Sequence, residues 1–310
     1  SYWGTPSGWA RMRDIEVVSF AKFNLTLEVL NLREDGYHDI DSVAQVIDIS
    51  DRITVSEAPS GTVDVECCAA YVPSGPRNVV WRAASEFLRV LGIKAGAHFR
   101  LDKFVPVQAG LGGGSANAAA AVYALNRLFE CGLAAEQLAE IASASGSDAA
   151  MFVHGGAVRM TGRGERVLPL PAPPVWHLVV VKPESGVSTA WAYAELEQSG
   201  VRPRVHASNA MMKAMACGDR DGMVTSLHND FEPVVSEHLS DVRDARRLLV
   251  ENGSEGVLLA GSGSAVCGLF ESEDAAGAAA FEIARRFERV FVTRTLSRSE
   301  SSSFEKTHEQ

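Results

Sequence analysis

Between Val105 and Ala121 the chain reads Val-Pro-Val-Gln-Ala-Gly-Leu-Gly-Gly-Gly-Ser-Ala-Asn-Ala-Ala-Ala-Ala. Four glycines crowd into a short turn, and an alanine-rich stretch follows at once. Residues without a Cβ let neighbouring backbone N–H groups turn toward one point and approach an anion closely. A helix opening at Ser115 adds unpaired N–H groups and the positive end of its dipole. The pattern predicts a phosphate cradle; the plainer alternative is a flexible loop or a helix packed through small residues. Two common nucleotide fingerprints do not fit. No lysine lies between Gly110 and Ala121, and Ser115 stands where a dinucleotide loop places its third glycine.

A chain of 310 residues has room for one large or two ordinary domains. Its formal charge of −10 excludes a broadly basic surface, so it predicts no nucleic-acid partner and no anionic membrane. Any nucleotide has to be held by local arrangement. Five scattered cysteines without a Cys-x-x-Cys pair read as reduced, buried thiols of a cytoplasmic protein. No apolar run approaches the ~20 residues of a membrane span, and there is no His-Glu-x-x-His zinc pattern.

Alternating apolar positions predict strands over Ile15–Leu30, Val43–Val55, Thr62–Cys67 and His98–Lys103. Helical spacing marks Asn78–Leu91, the stretch after the glycines, and Ala134–Ala144. Asn31–His38 reads as a polar loop turning at Asp35-Gly36. Proline-rich 169–174 reads as a linker. Beyond it come a strand at His177–Val181, helices at Thr189–Leu196 and Asn209–Ala216, and a second glycine turn within Leu258–Phe270. A helix at Ala275–Phe287 and a strand at Val290–Thr293 follow. Irregular mixing of strands and helices predicts an α+β protein of two domains, 14–168 and 175–297. Residues 1–13 and 298–310 are expected to be flexible termini, the latter because the composition there turns serine-rich and charged.

Two residues carry the chemistry that a phosphate cradle calls for. Lys22, in Phe-Ala-Lys-Phe-Asn-Leu, is an ammonium within an apolar strand, costly there unless paired. On an edge strand it would simply reach water. Asp148 lies between Gly146-Ser147 and the apolar run Ala149–Val153. It is either a helix N-cap or, facing Lys22, an ionised carboxylate able to accept a proton.

The string Pro-x-x-Ala-Gly-Leu-Gly-Gly-Gly-Ser-Ala-Asn-Ala-Ala resembles the phosphate loop of the galactokinase, homoserine, mevalonate and phosphomevalonate (GHMP) kinase superfamily. Lys22 falls on the lysine of that family's Pro-Ala-Lys-Leu-Asn-Leu motif. Asp148 falls on the aspartate of its Gly-Ser/Ala-Asp-Val-Pro-Phe motif, and Gly261–Ala265 resembles its third motif. Phe20, Gln108, Ala149-Ala150 and Ser264-Ala265 depart from the usual residues. The run Arg33-Glu-Asp-Gly-Tyr-His38 is similar to that of one branch, the 4-diphosphocytidyl-2-C-methyl-D-erythritol kinases. The resemblance covers about residues 15–297.

It implies a ribosomal protein S5 domain 2-like N-terminal domain, which binds ATP, and a ferredoxin-like C-terminal domain. It implies ATP with Mg²⁺, phosphorylating a small-molecule alcohol that carries a cytidine diphosphate. Asp148 would be the base and Lys22 its electrostatic partner. ATP would meet Asn78, Lys103, Pro106, Gly110, Leu111, Gly112, Gly113, Gly114 and Ser115, with Ser115 near the metal. The acceptor would meet Asn24, Tyr37, His38, Thr189 and Tyr193, the two tyrosines sandwiching the cytosine. The reading is completed by a cytoplasmic or stromal location and a monomer or weak homodimer.

Overall fold

A computed structural model describes residues 14–200 and 206–304. The expected flexible segment 1–13, and 305–310 of the expected tail, lie outside them. The chain opens with two long antiparallel strands, β1 (Ile15–Leu32) and β2 (His38–Ala58). Then come β3 (Val63–Cys67), α1 (Val79–Leu91), β4 (Gly96–Asp102), α2 (Gly113–Leu128), α3 (Ala135–Ser143), α4 (Ala149–His154), β5 (Ala157–Gly162) and β6 (Arg166–Pro169). Because β2 is so long, its outer edge takes β4 at one end and β5 at the other. β3 runs parallel to β4, and β6 closes a hairpin with β5.

The four helices pack over this sheet around Phe87, Phe99, Leu125 and Phe152. Six alanines of α2 are fully buried. Side chains that small let α2 lie close to β1, α1 and α4 at once, which fixes the position of its first turn.

The second half supplies β7 (His177–Val181), α5 (Thr189–Ser199), α6 (Ala207–Cys217), α7 (Arg220–Ser226), β8 (His228–Asn229), α8 (Glu232–His238) and α9 (Ser240–Glu251). It ends with β9 (Gly256–Leu259), β10 (Val266–Phe270), α10 (Glu273–Ile283), β11 (Val290–Arg294) and α11 (Arg298–Ser301). Its antiparallel sheet runs β11-β7-β10-β9. Helices intervene after β7 and after β10, which is the ferredoxin-like order, so the protein is α+β with two domains.

The two halves are sewn together through β1. The two-residue β8 pairs parallel with Thr26 and Leu27. Glu28, 1% exposed, accepts hydrogen bonds from the N–H groups of Ala207 (3.1 Å) and Ser208 (2.9 Å), capping the start of α6. Polar residues Lys22, Asn24, Thr26 and Glu28 alternate with apolar Phe23, Leu25 and Leu27, yet all seven are buried.

Two expectations need correcting. The residues after Ser297 are ordered as far as Phe304, since Ser297 and Glu300 form a capping box on α11. Phe304 is 2% exposed, packs on Tyr123 at 4.8 Å, and its carbonyl accepts from the Val18 N–H at 2.7 Å. Serine-rich composition misled because capping serines and one aromatic anchor are enough to dock a short tail. The thiols are also less buried than expected: Cys267 alone is buried, while Cys68 and Cys217 are exposed.

Truncating Phe304 to Ala should cost about 3–5 kcal/mol, as for other buried aromatics. Urea unfolding of Phe304→Ala beside the parent measures it, and a change under 1 kcal/mol would mean that the tail is not part of the core.

Candidate active site

A cavity of about 1150 Å³ lies where the first sheet's helices meet the second half. All sixteen residues singled out in the sequence line it. That volume exceeds the 300–1000 Å³ of a usual small-ligand site, which suits two ligands bound side by side.

Lys22 sits in the middle of β1, 3% exposed, so the water-facing alternative is ruled out. Its ammonium donates to Asn24 Oδ1 at 2.7 Å and to the Gly110 carbonyl at 3.1 Å, and lies 3.5 Å from Asp148 Oδ2. Three donors thus meet three oxygens. Asn24 is itself held, donating through Nδ2 to Ser42 Oγ at 2.8 Å. Asp148 stands at the N-cap position of α4 but makes no capping hydrogen bond with its side chain. That carboxylate is left to Lys22 and the cavity. The turn between β5 and β6 closes over it, where a Cβ on Gly164 would come 3.2 Å from Asp148 Oδ1.

The glycine loop is wedged between Lys22 and the second glycine turn. Gly110 and Gly112 have φ of +76° and +71°, the left-handed region that favours glycine. Gly112 precedes α2, which begins at Gly113 and not at Ser115, so the loop's last two glycines already lie in the helix. Behind the loop, Ser264 and Ala265 donate backbone hydrogen bonds to the carbonyls of Gln108 (3.3 Å) and Ala109 (3.2 Å). A Cβ on Gly110 would run into the Ala260 carbonyl, whereas one on Gly114 would meet only Val79 at 3.8 Å.

On the expected nucleotide side, Asn78 does cap α1: its Oδ1 accepts from the Val80 N–H at 2.8 Å and its Nδ2 donates to the Pro73 carbonyl at 2.7 Å. Lys103 is paired as well. Its ammonium meets Asp51 Oδ2 at 2.6 Å and the Val105 carbonyl at 2.8 Å. Asp51 is fully buried and also accepts from the N–H groups of Phe104 and Val105, both at 2.7 Å. It clamps the segment that leads into the glycine loop. The sequence reading missed Asp51, which lies within the long strand β2, where Asp48 and Asp51 both interrupt the apolar alternation and neither stands out.

On the expected acceptor side, Tyr37 is exposed, with the Arg163 guanidinium 5.0 Å over its ring. Tyr193 is stacked by His38, centroids 5.0 Å apart, and meets Phe231 edge-on at 4.9 Å. His38 Nε2 lies 3.2 Å from Glu197. The ring lying on Tyr193 is therefore His38, not a partner shared with Tyr37. Burial, helped by the charge of Asp148, pushes the Tyr193 phenol up to about 12, so it stays neutral near pH 7. Thr189 Oγ1 is 3.1 Å from Ser262 Oγ, joining α5 to the second glycine turn.

Known proteins resemble this chain in sequence and in fold. The GHMP kinases N terminal domain family matches residues 78–156, and the GHMP kinases C terminal family matches residues 211–289. The 4-diphosphocytidyl-2-C-methyl-D-erythritol kinase of Desulfitobacterium hafniense is 40% identical, over 92% of this chain and 97% of its own. The protein of that name from Pelotomaculum thermopropionicum is 40% identical over 91% and 98%. A crystal structure of a 4-(cytidine 5'-diphospho)-2C-methyl-D-erythritol kinase superposes with a TM-score of 0.75 at 32% identity, covering 91% of this chain and 99% of that one. A homoserine kinase from Cytophaga hutchinsonii, 19% identical, shares the fold with a TM-score of 0.75 over 94% of this chain and 98% of its own.

The two ends of the glycine loop should respond differently to a methyl group. Gly110→Ala should destabilise the fold by about 1–3 kcal/mol, since the backbone is strained and the space is taken. Gly114→Ala should fold like the parent, so that any loss appears only on titration with an ATP analogue. Equal stabilities in urea would contradict this account of the loop.

Proposed function

The chain belongs to the 4-diphosphocytidyl-2-C-methyl-D-erythritol kinases of the GHMP kinase superfamily, and from that membership we propose how its residues divide the work. The protein is an ATP-dependent kinase that phosphorylates the 2-hydroxyl of 4-diphosphocytidyl-2-C-methyl-D-erythritol, in the methylerythritol phosphate route to isoprenoid precursors. We assign ATP binding to the domain of residues 14–168, with residues 175–297 completing the cleft. Among the described residues no helix is long and apolar enough to cross a membrane. We take the enzyme to be cytoplasmic, a monomer or weak homodimer, with small molecules as its partners.

The observation that carries the division of labour is the three-way engagement of Lys22. In our reading the acceptor hydroxyl lies against Asp148, which takes its proton as the oxygen attacks the terminal phosphorus of ATP. The bond from that phosphorus to the bridging oxygen breaks, and ADP leaves. Lys22, held by Asn24 and Gly110, keeps a positive charge between base and phosphoryl group without moving to do so. The backbone N–H groups at Gly112–Ser115 and the start of α2 receive the phosphates. Asn78, Lys103 and Pro106 shape the nucleotide side, Lys103 through a directed N–H whose charge Asp51 has already offset.

Mg²⁺ fits this site as an ion carried on the nucleotide. Among the described residues no three His, Cys, Asp or Glu side chains gather into a metal centre. Mg²⁺ on phosphates keeps most of its ligands as water and phosphate oxygen. Ser115, on the first turn of α2, would offer it a hydroxyl, and the ion would neutralise charge on the transferring group.

For Tyr37 and Tyr193 to sandwich the cytosine, His38 has to swing off the Tyr193 face and leave Glu197. That movement frees its imidazole to meet the edge of the base, so one motion opens the stacking slot and presents the hydrogen bond.

Asp148→Asn should bind ATP and acceptor as the parent does, while kcat falls roughly 10²–10⁴-fold, the usual worth of a positioned base. Near-parental turnover in a folded variant would remove Asp148 from the chemistry. Tyr37→Ala and Tyr193→Ala should each weaken the acceptor about tenfold to a hundredfold, from ~1–3 kcal/mol of base stacking, and spare ATP. His38→Ala should blunt the preference for cytidine over uridine acceptors. Calorimetric titration of both ligands checks all three, and unchanged acceptor affinity throughout would detach the site from cytidine.

A further inference from the structure

The second glycine turn and the aromatic behind the base subsite are both fastened by one side chain that the mechanism has not used. Asn229 ends β8, pairs across to Leu27 of β1, and is 3% exposed. Its Nδ2 donates to the carbonyls of Leu259 at 2.8 Å and Gly261 at 2.7 Å. Its Oδ1 accepts from the backbone N–H of Phe231 at 2.9 Å. Every hydrogen-bonding capacity of the carboxamide except one lone pair is spent.

What those bonds hold matters more than their number. Gly261 sits against Gly110, so close that a Cβ on it would come 2.7 Å from the Gly110 carbonyl and 3.3 Å from Lys22 Nζ. That same Gly110 carbonyl is one of the three oxygens holding the Lys22 ammonium. A shift of the turn by a few tenths of an ångström therefore reaches both the phosphate loop and Lys22. Phe231 meets Tyr193 edge-on from behind, so its backbone sets where that ring can stand. Nδ2 secures the phosphate side and Oδ1 the acceptor side, through one rigid planar group.

We propose that Asn229 is a positioning residue for phosphoryl transfer, fixing the wall behind the phosphate loop relative to the ring behind the acceptor's base. The acceptor half of this statement rests on the cytidine reading above; the nucleotide half does not.

Asn229→Asp separates the halves. A carboxylate can still accept from the Phe231 N–H but cannot donate to either carbonyl, and it sets negative charge against both. The variant should lose about tenfold or more in affinity for a non-hydrolysable ATP analogue and in kcat, with KM for the cytidine-linked acceptor within twofold of the parent. Asn229→Thr, which gives up Oδ1 together with one Nδ2 donor, should weaken both the analogue and the acceptor about threefold when titrated well below its melting temperature, and keeps the test available if the Asp variant does not fold.

A role in stability alone predicts a lowered melting temperature with both ligands affected in proportion to the folded fraction; that result, or unchanged constants for both ligands, overturns the proposal. Analogue affinity is measured without any acceptor. If the parent itself fails to use the cytidine-linked alcohol, that result counts against the substrate reading and leaves the nucleotide half to stand or fall on the titration.

Discussion

A single buried ammonium sets the conditions for the rest of this site. Removing Lys22 from water costs several kcal/mol unless every donor finds an oxygen in good geometry. The fold supplies those oxygens from three places: Asn24 on the same strand, Gly110 in the phosphate loop, and Asp148 at the head of α4. Each of these in turn needs support. Ser42 on β2 orients Asn24, the second glycine turn backs Gly110, and the β5–β6 turn closes on Asp148. The ion pair is weak ground for stability, since an apolar pair of similar volume would serve the core as well or better. Its worth lies in geometry: a base, a cation and a phosphate loop cannot drift apart while they share one nitrogen.

The strand that carries Lys22 also explains why the two halves meet where they do. Alternating polar and apolar residues ordinarily describe a strand with one wet face. In β1 the polar positions are buried as well, and each has a use. Lys22 and Asn24 serve the cavity; Thr26 reaches Ser208 and Glu28 caps α6. The polar row is therefore an interface, half of it facing ligands and half facing the second domain. Substituting along the row at its far end would disturb the registration of that domain, not the chemistry.

This double burial marks the limit of what the sequence discloses. The phosphate loop was legible because its turn favours glycine at Gly110 and Gly112 and the helix after it is alanine-rich. Lys22 was legible because an ammonium inside an apolar strand needs a partner, whereas Asp148 alone reads as a helix cap and was joined to Lys22 through the motifs it resembles. Most of the strands came through because their period is plain. Asp51, Asn229 and Phe231 were not legible, because their importance comes from what folding brings beside them and not from any local anomaly. The region between Cys217 and Val257 gave no reading, although Val242, Ala245 and Leu249 do mark the buried face of α9. Its abundant arginines and acids masked a short apolar stripe. The tail failed in the opposite sense, where a disordered-looking composition hid Phe304, one residue with a large area to bury.

Charge gives the last constraint. The chain carries a formal −10, yet its cavity has to receive two polyphosphates. A strongly cationic cleft would be one solution, and the lysines here do not form one. Lys22 is offset by Asp148 and Lys103 by Asp51, both within the protein. Arg77 and Arg163 also line the cavity, but what the loop itself offers the phosphates is dipolar: backbone N–H groups on the glycine loop and the opening turn of α2. Dipoles act only at short range and in fixed directions, so such a site discriminates by fit and gains little from long-range attraction. It follows that the walls behind the loop matter as much as the loop, because a cradle made of backbone is only as accurate as whatever stops the backbone from moving.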